Sequence, residues 1–126
     1  LKDLQEKHGI TYLFVSHDLS VVGYMSHRIA VMYCGRILEK AKKQDLLKEP
    51  LHPYTQLLWS VVPTPNPEKR ETVSIGYEEE VPSRTNPPPG CSFHPRCRHA
   101  KDICKRERPQ LTEVKPGHVV SCHLYD

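Results

Sequence analysis

An initiating methionine, a long apolar run and any proline before Pro50 are all missing from this 126-residue chain. It opens Leu1-Lys2-Asp3-Leu4 with no apolar leader, so no secretory signal is legible, and the opening reads as mid-helix, as in a piece of something longer. The longest uncharged run, Pro50 to Pro67, holds five prolines and cannot form the ~20-residue apolar helix that a bilayer requires. No G-x-x-x-x-G-K-[ST] pattern occurs, so nothing here wraps a nucleotide's phosphates with a loop of backbone N–H groups. A net charge of +3 is too small to mark a nucleic-acid binder. What remains, 37% hydrophobic and 26% charged residues, supports one lean core.

Proline then divides what is present. Ten of the twelve fall between Pro50 and Pro95, so residues 1–49 read as compact alternating structure, 62–90 as an irregular connector and 91–126 as a small separate module. Glu78-Glu79-Glu80 in the connector is a solvated run whose like charges favour an extended chain.

Local patterns predict the elements. Leu1 and Leu4 followed by Gly9 read as a helix with a glycine stop. Ile10-Thr11-Tyr12-Leu13-Phe14-Val15 is β-branched, aromatic and aliphatic, which suits a strand buried on both faces of a parallel sheet. Leu19 to Met25 predicts a short helix, Arg28 to Tyr33 a strand, Cys34-Gly35 a tight turn and Arg36 to Lys40 the returning strand of a hairpin. Asp45 to Lys48 reads as a helical turn stopped by Pro50. A further helix is expected over Tyr54 to Val62, with Leu57, Leu58, Val61 and Val62 on one face.

Two features point to chemistry. Ser16-His17-Asp18 stands at the carboxyl end of the first predicted strand, where open α/β sheets gather ligands. On those residues alone a plain helix cap, with Asp18 accepting backbone N–H bonds, is the stronger reading. The second feature is C-x5-C-x6-C-x17-C: Cys91, Cys97, Cys104 and Cys122, with Cys34 apart as small filler in the hairpin turn. With no leader and an odd cysteine total, a disulfide framework fits poorly. Four thiolates suit zinc or an iron–sulfur cluster, and the spacing does not separate the two. The chain's whole positive excess shares that segment. Arg96, Arg98, Lys101, Lys105 and Arg106 would offset the formal charge of about −2 on a four-thiolate site. Nucleic-acid binding is the weaker account, since only Phe93 among aromatics lies between Cys91 and Cys104. His94, His99 and His123 are neighbours that could support or replace a ligand. Thirty-six residues fall below the ~40 at which a core usually suffices unaided, so a metal staple is expected to hold this segment.

Taken together, four segments carry a family resemblance in order. Thr11-Tyr12-Leu13-Phe14-Val15-Ser16-His17-Asp18-Leu19-Ser20-Val21-Val22 resembles the switch-histidine segment of ATP-binding-cassette (ABC) ATPases. Val31-Met32-Tyr33-Cys34-Gly35-Arg36-Ile37-Leu38-Glu39 is similar to the hairpin that follows it. His52-Pro53-Tyr54-Thr55 with Leu57-Leu58 and Val62-Pro63 resembles a motif of the oligopeptide/dipeptide importer branch. Pro88-Pro89-Gly90-Cys91 through Phe93, Pro95-Arg96-Cys97, Cys104, Pro109, Leu111, Gly117-His118, Val120 and Cys122 resembles that branch's C-terminal extension.

The resemblance implies an α/β fold: the C-terminal part of an ABC-type P-loop ATPase domain over 1–62, a proline-rich connector over 63–90, and a small irregular four-cysteine metal-binding tail over 91–126. It implies that His17 contacts the γ-phosphate. It implies a 4Fe–4S cluster on Cys91, Cys97, Cys104 and Cys122, with zinc as the alternative, and Mg-ATP only in the full-length subunit. The phosphate loop, signature motif and Walker B carboxylates would lie upstream of Leu1. Expected partners are a second ATP-binding subunit, transmembrane permease subunits and an extracytoplasmic solute-binding protein, at the cytoplasmic face of the cell membrane and without nucleic acid. The competing reading is an autonomous four-cysteine zinc module for protein or nucleic-acid binding.

Overall fold

The computed structural model describes residues 1–61 and 86–126. Val62, the Glu78–Glu80 run and most of the predicted connector lie outside the described residues. Helix α1 (Lys2–His8) ends on Gly9, whose φ of 62° supplies the left-handed turn that a Cβ would disfavour. Helix α2 (Leu19–Met25) follows, then strands β1 (Arg28–Tyr33) and β2 (Arg36–Lys42). The turn between the strands has positive φ at both Cys34 and Gly35, the twist that a two-residue hairpin requires. Helix α3 (Lys43–Lys48) seats Leu46 in the core, and α4 (Pro53–Ser60) starts with proline where no intrahelical N–H is needed. Beyond residue 86 come a 3-10 turn (His94–Arg96), helix α5 (Asp102–Arg106), β3 (Thr112–Lys115) and β4 (His118–Val120).

The four strands form one antiparallel sheet in the order β1-β2-β4-β3. The cysteine-bearing segment is therefore paired directly to the hairpin: Glu39 faces Val120 and Lys40 faces Val119. β1 alternates cleanly, with Ile29, Val31 and Tyr33 buried. β2 does not. Val31 pairs with Glu39 but Met32 with Ile37, so Leu38 is the extra residue of a bulge. That bulge lets both Leu38 and Glu39 turn inward.

One predicted strand is not there. Ile10 to Val15 belongs to no strand, and Leu13 and Val15 are 96% and 88% exposed. A strand exists only with a neighbour to take its N–H and C=O groups, and no described strand lies beside this run. The expected buried parallel strand is thus replaced by exposed chain, and the sheet present is antiparallel. Nor is the tail irregular, since it contributes a helix and two strands. On α4, Leu57 and Leu58 are half-buried as expected, but Val61 is exposed and the deeply buried residues are Pro53 and Thr55.

The core sits where hairpin, α4 and tail meet. Phe93 is fully buried against Tyr33 (ring centroids 5.4 Å apart, edge-on) and Tyr54 (5.3 Å). Such aromatic contacts add ~0.5–1.5 kcal/mol each beyond their buried area. The tail is held by packing as well as by pairing.

Candidate functional site

At the switch-like segment, Asp18 does what the capping reading expects. Its Oδ1 accepts from the N–H groups of Ser20 (2.9 Å) and Val21 (3.1 Å), and its own N–H donates to Ser16 Oγ (3.0 Å). Those bonds fix the bend at residue 17. The imidazole of His17 is exposed and makes no hydrogen bond among the described residues. The local design therefore spends the flanking side chains on geometry and leaves the histidine free to meet something else.

A second centre was only partly visible in the sequence. Glu39 is fully buried, and its carboxylate accepts three bonds: from Leu51 N–H (2.8 Å), His52 N–H (2.9 Å) and His118 Nε2 (2.6 Å). One side chain thus ties β2, the approach to α4 and the start of β4 together. A buried carboxylate is tolerated only when it is satisfied in this way. The sequence carried a signal, since Glu39, His52 and His118 each stand in one of the motif segments, but nothing in their spacing said that they meet.

His52 goes further. Its Nδ1 accepts from Tyr54 N–H (3.0 Å), capping α4, so the ring's proton sits on Nε2, which is buried and has no hydrogen-bond partner among the described residues. Burial lowers the His52 pKa from 6.5 to about 4, against the raising influence of Glu39. Between those values the unfolded chain takes up a proton that the native protein refuses. Stability should therefore fall as pH drops from 6.5 towards 4, by about 3 kcal/mol from this group. His52→Asn keeps a capping acceptor without the titration. Urea titrations across that range should show a shallower pH slope in the variant, and equal slopes would refute the assignment.

The four tail cysteines do converge: Cys91, Cys97, Cys104 and Cys122 line one cavity, with His52 on its wall. Cys91 N–H donates to Cys104 O (2.8 Å), Lys101 N–H to Cys104 Sγ (3.4 Å), and a Cβ on Gly90 would meet Cys104 O at 2.3 Å, so only glycine fits there.

The expected 4Fe–4S cluster, and zinc in its place, is nevertheless not supported. Among the described residues no group of three or more His, Cys, Asp or Glu is disposed to hold a metal ion. The cavity is about 10 Å³, scarcely one water's room. Burial raises the Cys91 and Cys97 thiol pKa values and pushes Cys122 up to about 11, favouring neutral thiols; Cys91 and Cys97 pack with Tyr33, Leu38 and Phe93, and Cys122 with Leu51 and Val120. Nor do the nearby cations all serve a charged cluster: Lys101 Nζ donates to His123 O (2.8 Å), and Lys105 lies 3.9 Å from Asp102. Of the neighbouring histidines, His94 bonds Cys91 O through Nδ1, while His123 bonds Glu107 O and the Asp126 carboxylate. Burial pulls the His123 pKa down, but those two partners outweigh it and leave it raised.

Comparison with known proteins adds three findings. Residues 38–104 match the family described as "Oligopeptide/dipeptide transporter, C-terminal region". The chain is 49% identical over 128 aligned positions to the oligopeptide transport ATP-binding protein AppF of Bacillus subtilis, covering 99% of this chain and 38% of that protein. It is 48% identical to the "Probable peptide ABC transporter ATP-binding protein y4tS" of Sinorhizobium fredii, covering 98% of this chain and 35% of that protein. The chain thus spans little more than a third of the length of these relatives.

Proposed function

The chain belongs to the oligopeptide/dipeptide transporter C-terminal region family, and from that premise we propose that it serves as the C-terminal part of a nucleotide-binding subunit coupling ATP hydrolysis to peptide import. The observation that carries this reading is near-complete alignment with oligopeptide-transport ATP-binding proteins together with an exposed imidazole at an Asp18-capped turn.

In this reading residues 1–62 complete the ATPase domain, 63–90 connect, and 91–126 form the extension. His17 holds a γ-phosphate oxygen of Mg-ATP, a task of positioning and charge stabilisation. The phosphate loop and the water-polarising carboxylate come from the remainder of the longer subunit. The exposed Ile10–Val15 run supports that placement, because an apolar stretch of this kind is a contact waiting for neighbouring strands. Partners are a second ATP-binding subunit and membrane permeases, served by a solute-binding protein. Among the described residues no helix is long and apolar enough to cross a membrane, which suits a subunit held peripherally at the cytoplasmic face by its permeases. The zinc-module alternative has no support, since the described residues contain no metal site.

This division of labour requires that residues 1–126 alone do not hydrolyse ATP. Steady-state phosphate release by the isolated chain should equal that of its His17→Ala variant. Release above that control would overturn the proposal, because one histidine would then be acting without a phosphate cradle.

A further inference from the structure

The turn between β1 and β2 and the tail segments beside it enclose a second recess, a surface groove of about 340 Å³. Two guanidinium groups line it: Arg36, the first residue of β2, and Arg108, in the loop after α5. Among the described residues no acidic side chain does. Among the described residues neither arginine makes an ion pair, whereas Lys105 and Lys115 are paired to Asp102 and Glu49. The rest of the lining is of a different kind. Ile37 and Leu111 are 41% and 46% exposed, Pro109 closes one side, and Ser92 adds a hydroxyl.

Two uncompensated guanidinium groups in one recess set up a positive potential, and the planar fork of arginine matches a carboxylate's two oxygens. The exposed aliphatic walls gain nothing from a small inorganic anion. They do gain from an aliphatic side chain, at ~25 cal/mol per Å² of apolar surface covered. Among the described residues no aromatic ring lines the groove, so these walls offer no platform for stacking a nucleobase.

We propose that this groove docks a short acidic peptide segment of a protein partner, one in which carboxylate side chains flank an aliphatic residue. The carboxylates pair with Arg36 and Arg108, and the aliphatic side chain covers Ile37 and Leu111. This site is independent of nucleotide and of His17, so its failure would leave the proposed ATPase role untouched.

The test is amide NMR titration of the chain with an acetylated, amidated Glu-Asp-Leu-Glu-Asp peptide. Saturable shifts are expected at Arg36, Ile37, Ser92 and Leu111, and the Gln-Asn-Leu-Gln-Asn counterpart should leave them unmoved. Arg36 and Arg108 are exposed, so an Arg36→Ser, Arg108→Ser double variant should keep its circular dichroism while binding the peptide at least tenfold more weakly. Leu111→Ser should weaken the leucine peptide but not Glu-Asp-Gly-Glu-Asp. The proposal is overturned by the absence of saturable shifts, by shifts centred elsewhere, or by an undiminished response in the double variant. It is equally overturned if inorganic phosphate or oligo-dT moves the same amides as strongly.

Discussion

Glu39→Ala should lower the stability of this protein by at least about 3 kcal/mol, the cost of taking the acceptor away from three buried donors at once. The carboxylate is fully buried and serves three donors drawn from three parts of the chain. Its removal strands two backbone N–H groups and the His118 imidazole away from water, and each unsatisfied donor carries a desolvation penalty of ~1–3 kcal/mol. Domains have only ~5–15 kcal/mol in total, so the urea midpoint should drop steeply. Glu49→Ala is the control. It deletes a carboxylate that pairs with Lys115 in solvent, and it should leave the midpoint nearly unchanged. His118→Ala should add little in the Glu39→Ala background, since both substitutions break one network. Full additivity, or a Glu39→Ala midpoint as high as that of Glu49→Ala, would mean that the three-way tie does not hold the tail to the hairpin.

The elements legible in the sequence were those set by adjacent residues. Gly9 ends its helix, Asp18 caps the next, and Cys34-Gly35 turns the hairpin, each through chemistry confined to a few positions. What escaped was set at long range. The pairing of β2 with β4 joins residues about eighty positions apart, and no local pattern announces such a partner. For the same reason the Ile10–Val15 run forms no strand in this chain: its composition favours one, but composition cannot supply the neighbour. The cysteine cluster misled in the opposite direction. A segment with so little apolar content of its own called for a staple. The structure instead buries Phe93 against the hairpin and α4, buries Val120 with Leu51, and packs the cysteines into the same clusters as small apolar filler. Glu39 was legible only as a residue within a motif. The bulge at Leu38, which lets two consecutive residues face inward, breaks the alternation from which its burial could have been inferred.

The catalytic proposal predicts a different kind of loss. In the intact subunit, His17→Ala should leave the fold alone, because among the described residues the exposed imidazole makes no hydrogen bond that the substitution would remove, and the Asp18 cap stays in place. Nucleotide affinity should also persist, since the phosphate loop supplies most of it. Turnover should not. Removing a preorganised donor aimed at charge that develops in the transition state typically costs ~10²–10³ in rate, and a γ-phosphate contact belongs to that class. Asp18→Ala should do both milder things at once, fraying α2 by about 1 kcal/mol through the lost cap and lowering turnover only as far as His17 is misplaced.

The most direct measurement is therefore steady-state ATP hydrolysis at saturating Mg-ATP by the intact subunit assembled with its permeases, wild type beside His17→Ala, with nucleotide affinity determined on the same preparations. The account predicts turnover reduced by about 10²-fold or more at nearly unchanged affinity. Unchanged turnover, or a loss that follows weakened nucleotide binding alone, would contradict it.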